Sequence, residues 1–265
     1  MTPHRSLPMR TRAGHTLLEI TIAVALGLIV VTGMVATWRS QRAAFAYAAD
    51  AARLSDAGIN ALVLVGDQIQ MAGFGLGRPS EDAAAPPVFG CSAGRPAAAG
   101  GLACTALSSR SDGVAVRYVG DGQSTWLSTS GQATDCLGQG VGAPGTIVVN
   151  AFHARPGTSS GEPELYCEGS GNAGTAQPLV EGVERLRLRY WLDGAAQSAD
   201  ASALTSAQWA AVSAVDLCVL VRGAPGGRSA RYVDCDGVSS VSGDGRTRRA
   251  FWRHIAIRNR SGAPL

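Results

Sequence analysis

Ser159 and the glycines after Gln139 are the residues whose spacing first invites a catalytic reading. Gly157–Gly161, GTSSG, fits the G-x-S-x-G frame of a serine nucleophile, and Gly140–Gly145, GVGAPG, fits the G-x-G-x-x-G frame of a phosphate-binding turn. Both frames work only between a strand and a helix, which aim the hydroxyl or the backbone N–H groups. Here GEPELYC follows Ser159, while Pro144 and the strand-like TIVVN replace the second frame's helix. Both are chance matches in a chain with 34 glycines. Asp234–Gly237, DCDG, with Asp244 nearby, resembles a calcium loop but lacks the closing glutamate and the regular spacing. His153 and His254, the two histidines beyond the N-terminal region, are too few for a histidine metal site. No constellation supports catalysis, and no cofactor or metal is expected.

Glu19 is a different matter. From Ala13 to Trp38 it is the one formally charged side chain in an apolar run. An ionised group in hydrocarbon costs several kcal/mol unless it is partnered. The carboxylate is therefore either an accident or the purpose of the segment.

The elements that must position Glu19 follow from the hydropathy pattern. Residues 1–14 form a leader with Arg5, Arg10 and Arg12 and no acid. Residues 15–38 are apolar and span about 36 Å as a helix, enough to cross a membrane. The arginines place the N-terminus in the cytoplasm and the rest outside. A cleaved secretory signal is the competing interpretation, with a loose cleavage site around Val35–Thr37. The helix is expected to continue as an amphipathic half over 39–77, its periodicity fading near Gly73. Phe45, Ala48, Ala49, Ala52, Ile59, Leu62, Val63 and Ile69 would form its apolar face, opposite Asp50, Arg53, Asp56, Asn60 and Asp67.

Residues 78–265 read as a β-rich globular domain. Its first part, 80–110, is Ala/Gly/Pro/Ser-rich and reads as loop. Strands are expected at 113–120, 145–152, 164–169, 183–192, 215–223, 229–235 and 251–259, with a helical turn at 205–212. In 183–192, Leu186, Leu188, Tyr190 and Leu192 point one way and Arg185, Arg187 and Arg189 the other. The arginine row reads as a solvated strand face; contact with a neighbouring subunit's acids, or with DNA or a surface, is the sharper alternative. The fold class is α+β, a long N-terminal helix with an antiparallel sheet domain.

Charge and cysteines limit function further. The net charge of +3 comes from the leader, and without it the chain is neutral. A neutral chain has no broad footprint for nucleic acid, so none is expected as a partner. Six cysteines, Cys91, Cys104, Cys136, Cys167, Cys218 and Cys235, all follow the apolar run and form no CxxC pair. They suggest up to three disulfides in an oxidising space, with buried free thiols as the bland alternative. Fifteen pairings are open; the expectation is the sequential one, Cys91–Cys104, Cys136–Cys167 and Cys218–Cys235.

The stretch Gly14–Glu19, GHTLLE, behind a short basic leader and ahead of an apolar helix, resembles the type IV prepilin signal, usually G-F-T-L-[IL]-E. His15 stands where phenylalanine is usual, and Ala36 where major pilins often have a kinking proline. QIQMAGFG (68–75) is similar to the end-of-helix motif of the PilW family of type IV pilus assembly proteins. LVEGVERLRLRYWLD (179–193) and FWRHIAIRNR (251–260) are similar to that family's strand and C-terminal ending.

The resemblance implies a minor pilin that helps prime pilus assembly at the inner membrane, with its globular domain periplasmic and its final place at the pilus tip. Prepilin peptidase would cut after Gly14 and methylate His15. Glu19 would pair with the α-amino group of the preceding subunit, a buried pair that fixes register more than it adds stability. Partners would be other minor pilins, the major pilin, the peptidase and, before assembly, inner-membrane lipid. Two other readings stand beside it. One is a type II secretion pseudopilin of the J type; the other is a membrane-anchored extracytoplasmic binding protein that never enters a filament.

Overall fold

A computed structural model describes residues 14–76, 85–98, 101–225 and 230–259. Apart from Gly14, the expected leader lies outside the described residues, as do residue 77 of the expected helix half, 80–84 and 99–100 of the expected loop, residue 229 of the expected strand 229–235 and Arg260 of the C-terminal motif. The chain divides into two units, the first ending at Ala49 and the second beginning at Asp50. Helix α1 (Leu17–Met71) supplies the first unit from Leu17 onward and the opening of the second.

Within the first unit, every described residue from Gly14 to Ala48 is exposed. This half is long and apolar enough to cross a membrane. Its exposed Leu, Ile and Val side chains belong in a lipid-like medium rather than in water.

Within the second unit, α1 buries Leu54, Gly58, Ala61, Val65, Gly66 and Ile69 along one face. The expected face is corrected here, because Ile59 (54% exposed) and Val63 (46%) lie outside the core and Ile69 alone of the eight positions is buried. The reason is close approach: a Cβ at Gly58 would overlap the Phe251 ring, and one at Gly66 the Arg253 guanidinium. The partner strand brings the bulk, so the helix presents small residues to it.

The strands are β1 (Val88–Cys91), β2 (Gly94–Pro96), β3 (Cys104–Ala106), β4 (Gly113–Val119), β5 (Ala133–Thr134), β6 (Gly140–Gly142) and β7 (Ile147–Pro156). They continue as β8 (Pro163–Gly169), β9 (Ala176–Glu181), β10 (Val183–Leu192), β11 (Val212–Arg222), β12 (Arg231–Val233), β13 (Ser239–Val241) and β14 (Arg248–Ala256). A five-stranded sheet has the order β1-β4-β7-β8-β9 and a three-stranded sheet the order β10-β11-β14, with three two-stranded ribbons beside them. All pairings are antiparallel.

All seven expected strands are present, and the expected helical turn is a 3-10 helix, Ser206–Ala211. The 80–110 segment, expected as loop, also contains β1, β2 and β3. Alternation along the strands builds the core. Val114, Val116 and Tyr118 join Val148, Phe152, Leu165, Leu186, Leu188, Tyr190, Val215, Leu217 and Ile255 in one buried cluster with α1. All six cysteines are bonded, Cys91–Cys104, Cys136–Cys167 and Cys218–Cys235.

Candidate assembly site

The junction is built by the start of α1. Thr16 precedes the helix, its carbonyl accepting from the N–H groups of Glu19 (3.1 Å) and Ile20 (3.2 Å). Its hydroxyl oxygen accepts from the same Glu19 N–H at 3.3 Å. This is the first half of a capping box, and T-x-x-E is its sequence signature. Thr16 is absent from the residues picked out by sequence, and that spacing is the signal that marks it. Glu19 lies in the first turn, where the exposed N–H groups of the helix favour a negative charge. His15 Nδ1 lies 3.5 Å from Glu19 Oε2, both side chains being open to the surroundings. Gly14 is exposed beside them. The structure thus brings Gly14, His15 and Glu19 together at one helix end. The arrangement offers a carboxylate to a cation and contains no nucleophile.

The motifs farther along the chain also meet. Gly73 ends the α1 region with a left-handed backbone (φ +83°), and its N–H donates to the Arg117 carbonyl at 2.9 Å. A Cβ there would overlap the Asn259 carbonyl. Asn259 Nδ2 in turn donates to the Gln70 carbonyl at 3.1 Å. The QIQMAGFG segment and the C-terminal IRN segment therefore lock each other in place. In VEGVE, Gly182 turns the chain from β9 to β10 in a left-handed conformation (φ +84°), a backbone that strains side-chain-bearing residues. These residues are structural joints of the domain.

The arginine row on β10 is a correction. Arg187 is 16% exposed and contacts Asp112 (3.1 Å), Asp200 (2.8 Å) and Asp236 (2.9 Å). Arg185 also reaches Asp236, and Arg189 reaches Asp200 and the Ser198 hydroxyl. Burial opposes the Arg187 charge, yet the three carboxylates outweigh it and raise its pKa. Burial likewise opposes the charge on Asp236, and the attraction of Arg185 and Arg187 prevails and lowers its pKa. The row is not a freely solvated face: Arg189 stays 42% exposed, but all three guanidinium groups are paired with acids of the same chain. The sequence places those acids up to 75 positions away, beyond the reach of any local pattern.

The remaining candidates have plain structural places. Ser159 is exposed in the β7–β8 turn, and no helix follows Gly140–Gly145. Asp234 caps its own turn by accepting from the N–H groups of Asp236 and Val238. Asp244 is held by Arg248. Among the described residues no group of three or more His, Cys, Asp or Glu is placed to hold a metal ion. His254 Nδ1 contacts Asp216 Oδ1 at 2.6 Å. His153 is wholly buried on β7, stacked on Tyr166, and neither ring nitrogen has a hydrogen-bond partner. Burial lowers its pKa to about 4, with Arg95 and Arg155 acting in the same direction. The two histidines sit in different sheets and form no common site.

No curated protein sequence matches the chain. Among solved structures, a type IV-like pilin from Thermus thermophilus is similar at 16% identity and a TM-score of 0.43, over 79% of this chain and 97% of that one. Residues 154–259, from the end of β7 through β14 to Asn259, match the model of the PilW family, type IV pilus-assembly protein W, the family that the motifs at 68–75, 179–193 and 251–260 resemble.

Proposed function

We propose that the chain is a PilW-like minor pilin that takes part in priming type IV pilus assembly at the inner membrane. The match of residues 154–259 to the PilW family carries this reading, and it favours a pilus over a secretion pseudopilus. Before assembly the apolar half of α1 spans the inner membrane, with the N-terminus cytoplasmic and the second unit periplasmic. Prepilin peptidase cuts after Gly14 and methylates the new N-terminus at His15. Cleavage removes Arg5, Arg10 and Arg12 and leaves an α-amino group four residues before Glu19.

Glu19 then meets the α-amino group of the preceding subunit, which supplies the cation a carboxylate needs in an apolar medium. Such a pair sets the axial register of one helix on the next. The second unit contacts other minor pilins and the major pilin, and the assembled subunit sits at the pilus tip.

Mass spectrometry of the N-terminus of the membrane-extracted protein tests this. The expected result is a chain beginning at N-methylated His15. A chain beginning near Trp38, or an intact Met1, overturns the reading.

A further inference from the structure

Within the second unit, a groove of about 520 Å³ runs between α1 and the loop after β4, lined by Leu64, Gln68, Tyr118, Gln123, Trp126 and Asp135 among others. We propose that this groove binds a neutral, pyranose-containing oligosaccharide, with Trp126 as its stacking platform. Trp126 is 89% exposed, more than any other large apolar side chain among the described residues, the membrane-type half of α1 included.

This exposure is not the result of a slack loop. The Asp121 carboxylate accepts from the N–H groups of Gln123 and Ser124, both at 2.9 Å. The Ser124 hydroxyl donates to the Val119 carbonyl at 2.8 Å and accepts from the Asp121 N–H. The Thr134 hydroxyl donates to the carbonyl of Trp126 itself, and the Thr134 N–H donates to the Thr125 hydroxyl. The indole is presented to solvent by a backbone fixed on both sides of it.

The rest of the groove selects the ligand class. No Arg or His lines it, and the Asp135 carboxylate is already held by three backbone donors. Its Oδ1 accepts from the N–H groups of Leu137 and Gln139, and its Oδ2 from that of Gly171. An anionic ligand finds no cation there, and a cationic one finds an acid already engaged by backbone donors. The amides remain. Gln68 Oε1 accepts from Asn150 Nδ2 (2.7 Å) and from the Tyr118 hydroxyl (3.1 Å). That fixes the amide plane and leaves both Nε2 hydrogens for a ligand oxygen. Gln123 adds an exposed second amide.

A wholly apolar ligand would desolvate these amides without satisfying them. A pyranose ring presents an apolar C–H face to an aromatic ring and hydroxyls around its rim, matching both halves of the groove. The volume falls within the range of small-molecule sites, about 300–1,000 Å³. The inference does not depend on the assembly reading and is measured separately from it.

The test uses full-length protein in a detergent without a sugar head group, titrated with cellohexaose, maltohexaose and chitohexaose while the heat of binding is followed by calorimetry. The expected result is saturable binding of at least one of them, weakened about tenfold by Trp126→Ala at unchanged melting temperature. Trp126→Phe should restore most of it. Absence of binding by all three sugars, or binding indifferent to Trp126→Ala, overturns the proposal. So does a photo-cross-linker at position 126 that reacts with a neighbouring protein in assembled filaments, which would mark the groove as a subunit contact.

Discussion

Between Leu17 and Ala48, α1 is rich in Leu, Ile and Val and buries none of them; between Leu54 and Ile69 it buries six residues, and three of those are glycine or alanine. Both halves are regular helix, so helix formation itself does not separate them. The difference lies in who supplies the bulk. In the first half the side chains are large and exposed, on a helix long and apolar enough to cross a membrane. In the second, Phe251 and Arg253 of β14 fill the space, and the helix must stay thin where they approach. Side-chain hydrophobicity along a helix thus records what the helix meets, and it misleads where the partner carries the volume.

The sharpest test of this contrast is Glu19→Val, because a device for assembly and a device for folding then separate completely. In a pilus-forming host the variant is expected to lose piliation altogether, while the protein stays in the membrane fraction. Its second unit should melt as in the parent, since Glu19 belongs to the first unit. Normal piliation with Glu19→Val would return the carboxylate to the status of an accident.

A matched pair of truncations follows in size. Ile69 is fully buried and Ile29 is 67% exposed. Ile69→Ala is expected to destabilise the second unit by about 2–5 kcal/mol through lost burial and a residual cavity. Ile29→Ala is expected to stay within about 0.5 kcal/mol. Chemical denaturation of the full chain in detergent measures both. Equal effects would mean that the two halves do not differ in the way their burial indicates.

How far the sequence revealed these features depends on how local each signal is. The length of α1, its apolar first half and the seven expected strands follow from periodicities within a few residues. GHTLLE was legible for the same reason, although its second meaning as a helix start was masked by the prepilin resemblance. The buried face of α1 was not legible, because Gly58, Ala61 and Gly66 carry little hydrophobic signal and their partners lie on β14. β1 and β2 were hidden in an Ala/Gly/Pro-rich stretch whose strand character comes from pairing with β4 and β3. The arginine row was read correctly as a face but wrongly as solvated. Of its neutralising acids, Asp200 follows β10 closely, while Asp112 and Asp236 arrive from 75 and 49 positions away.

His153 provides the last contrast, since it is a polar group buried in the second unit without the partner that Glu19 is proposed to find in a filament. It packs on Tyr166, with Arg95 and Arg155 near enough to disfavour its protonation. Arg95 is itself paired with the buried Glu168 at 2.9 Å, and Arg155 lies over the Tyr166 ring at 3.9 Å. Protonation would place a third cation against these two without an acceptor for either N–H.

The pKa falls from 6.5 to about 4 in the folded chain. Above pH 6.5 the imidazole is neutral in both states and stability is undiminished. As pH falls from there towards 4, the unfolded chain binds a proton that the folded chain refuses, so stability is lost over that window. The loss is about 3 kcal/mol in full, since each pKa unit corresponds to about 1.4 kcal/mol. His153→Leu keeps the site filled and removes the titration. Its melting temperature should therefore fall less between pH 7 and pH 5 than that of the parent, and parallel profiles would show that this imidazole, despite its burial, is free to take up a proton in the folded chain.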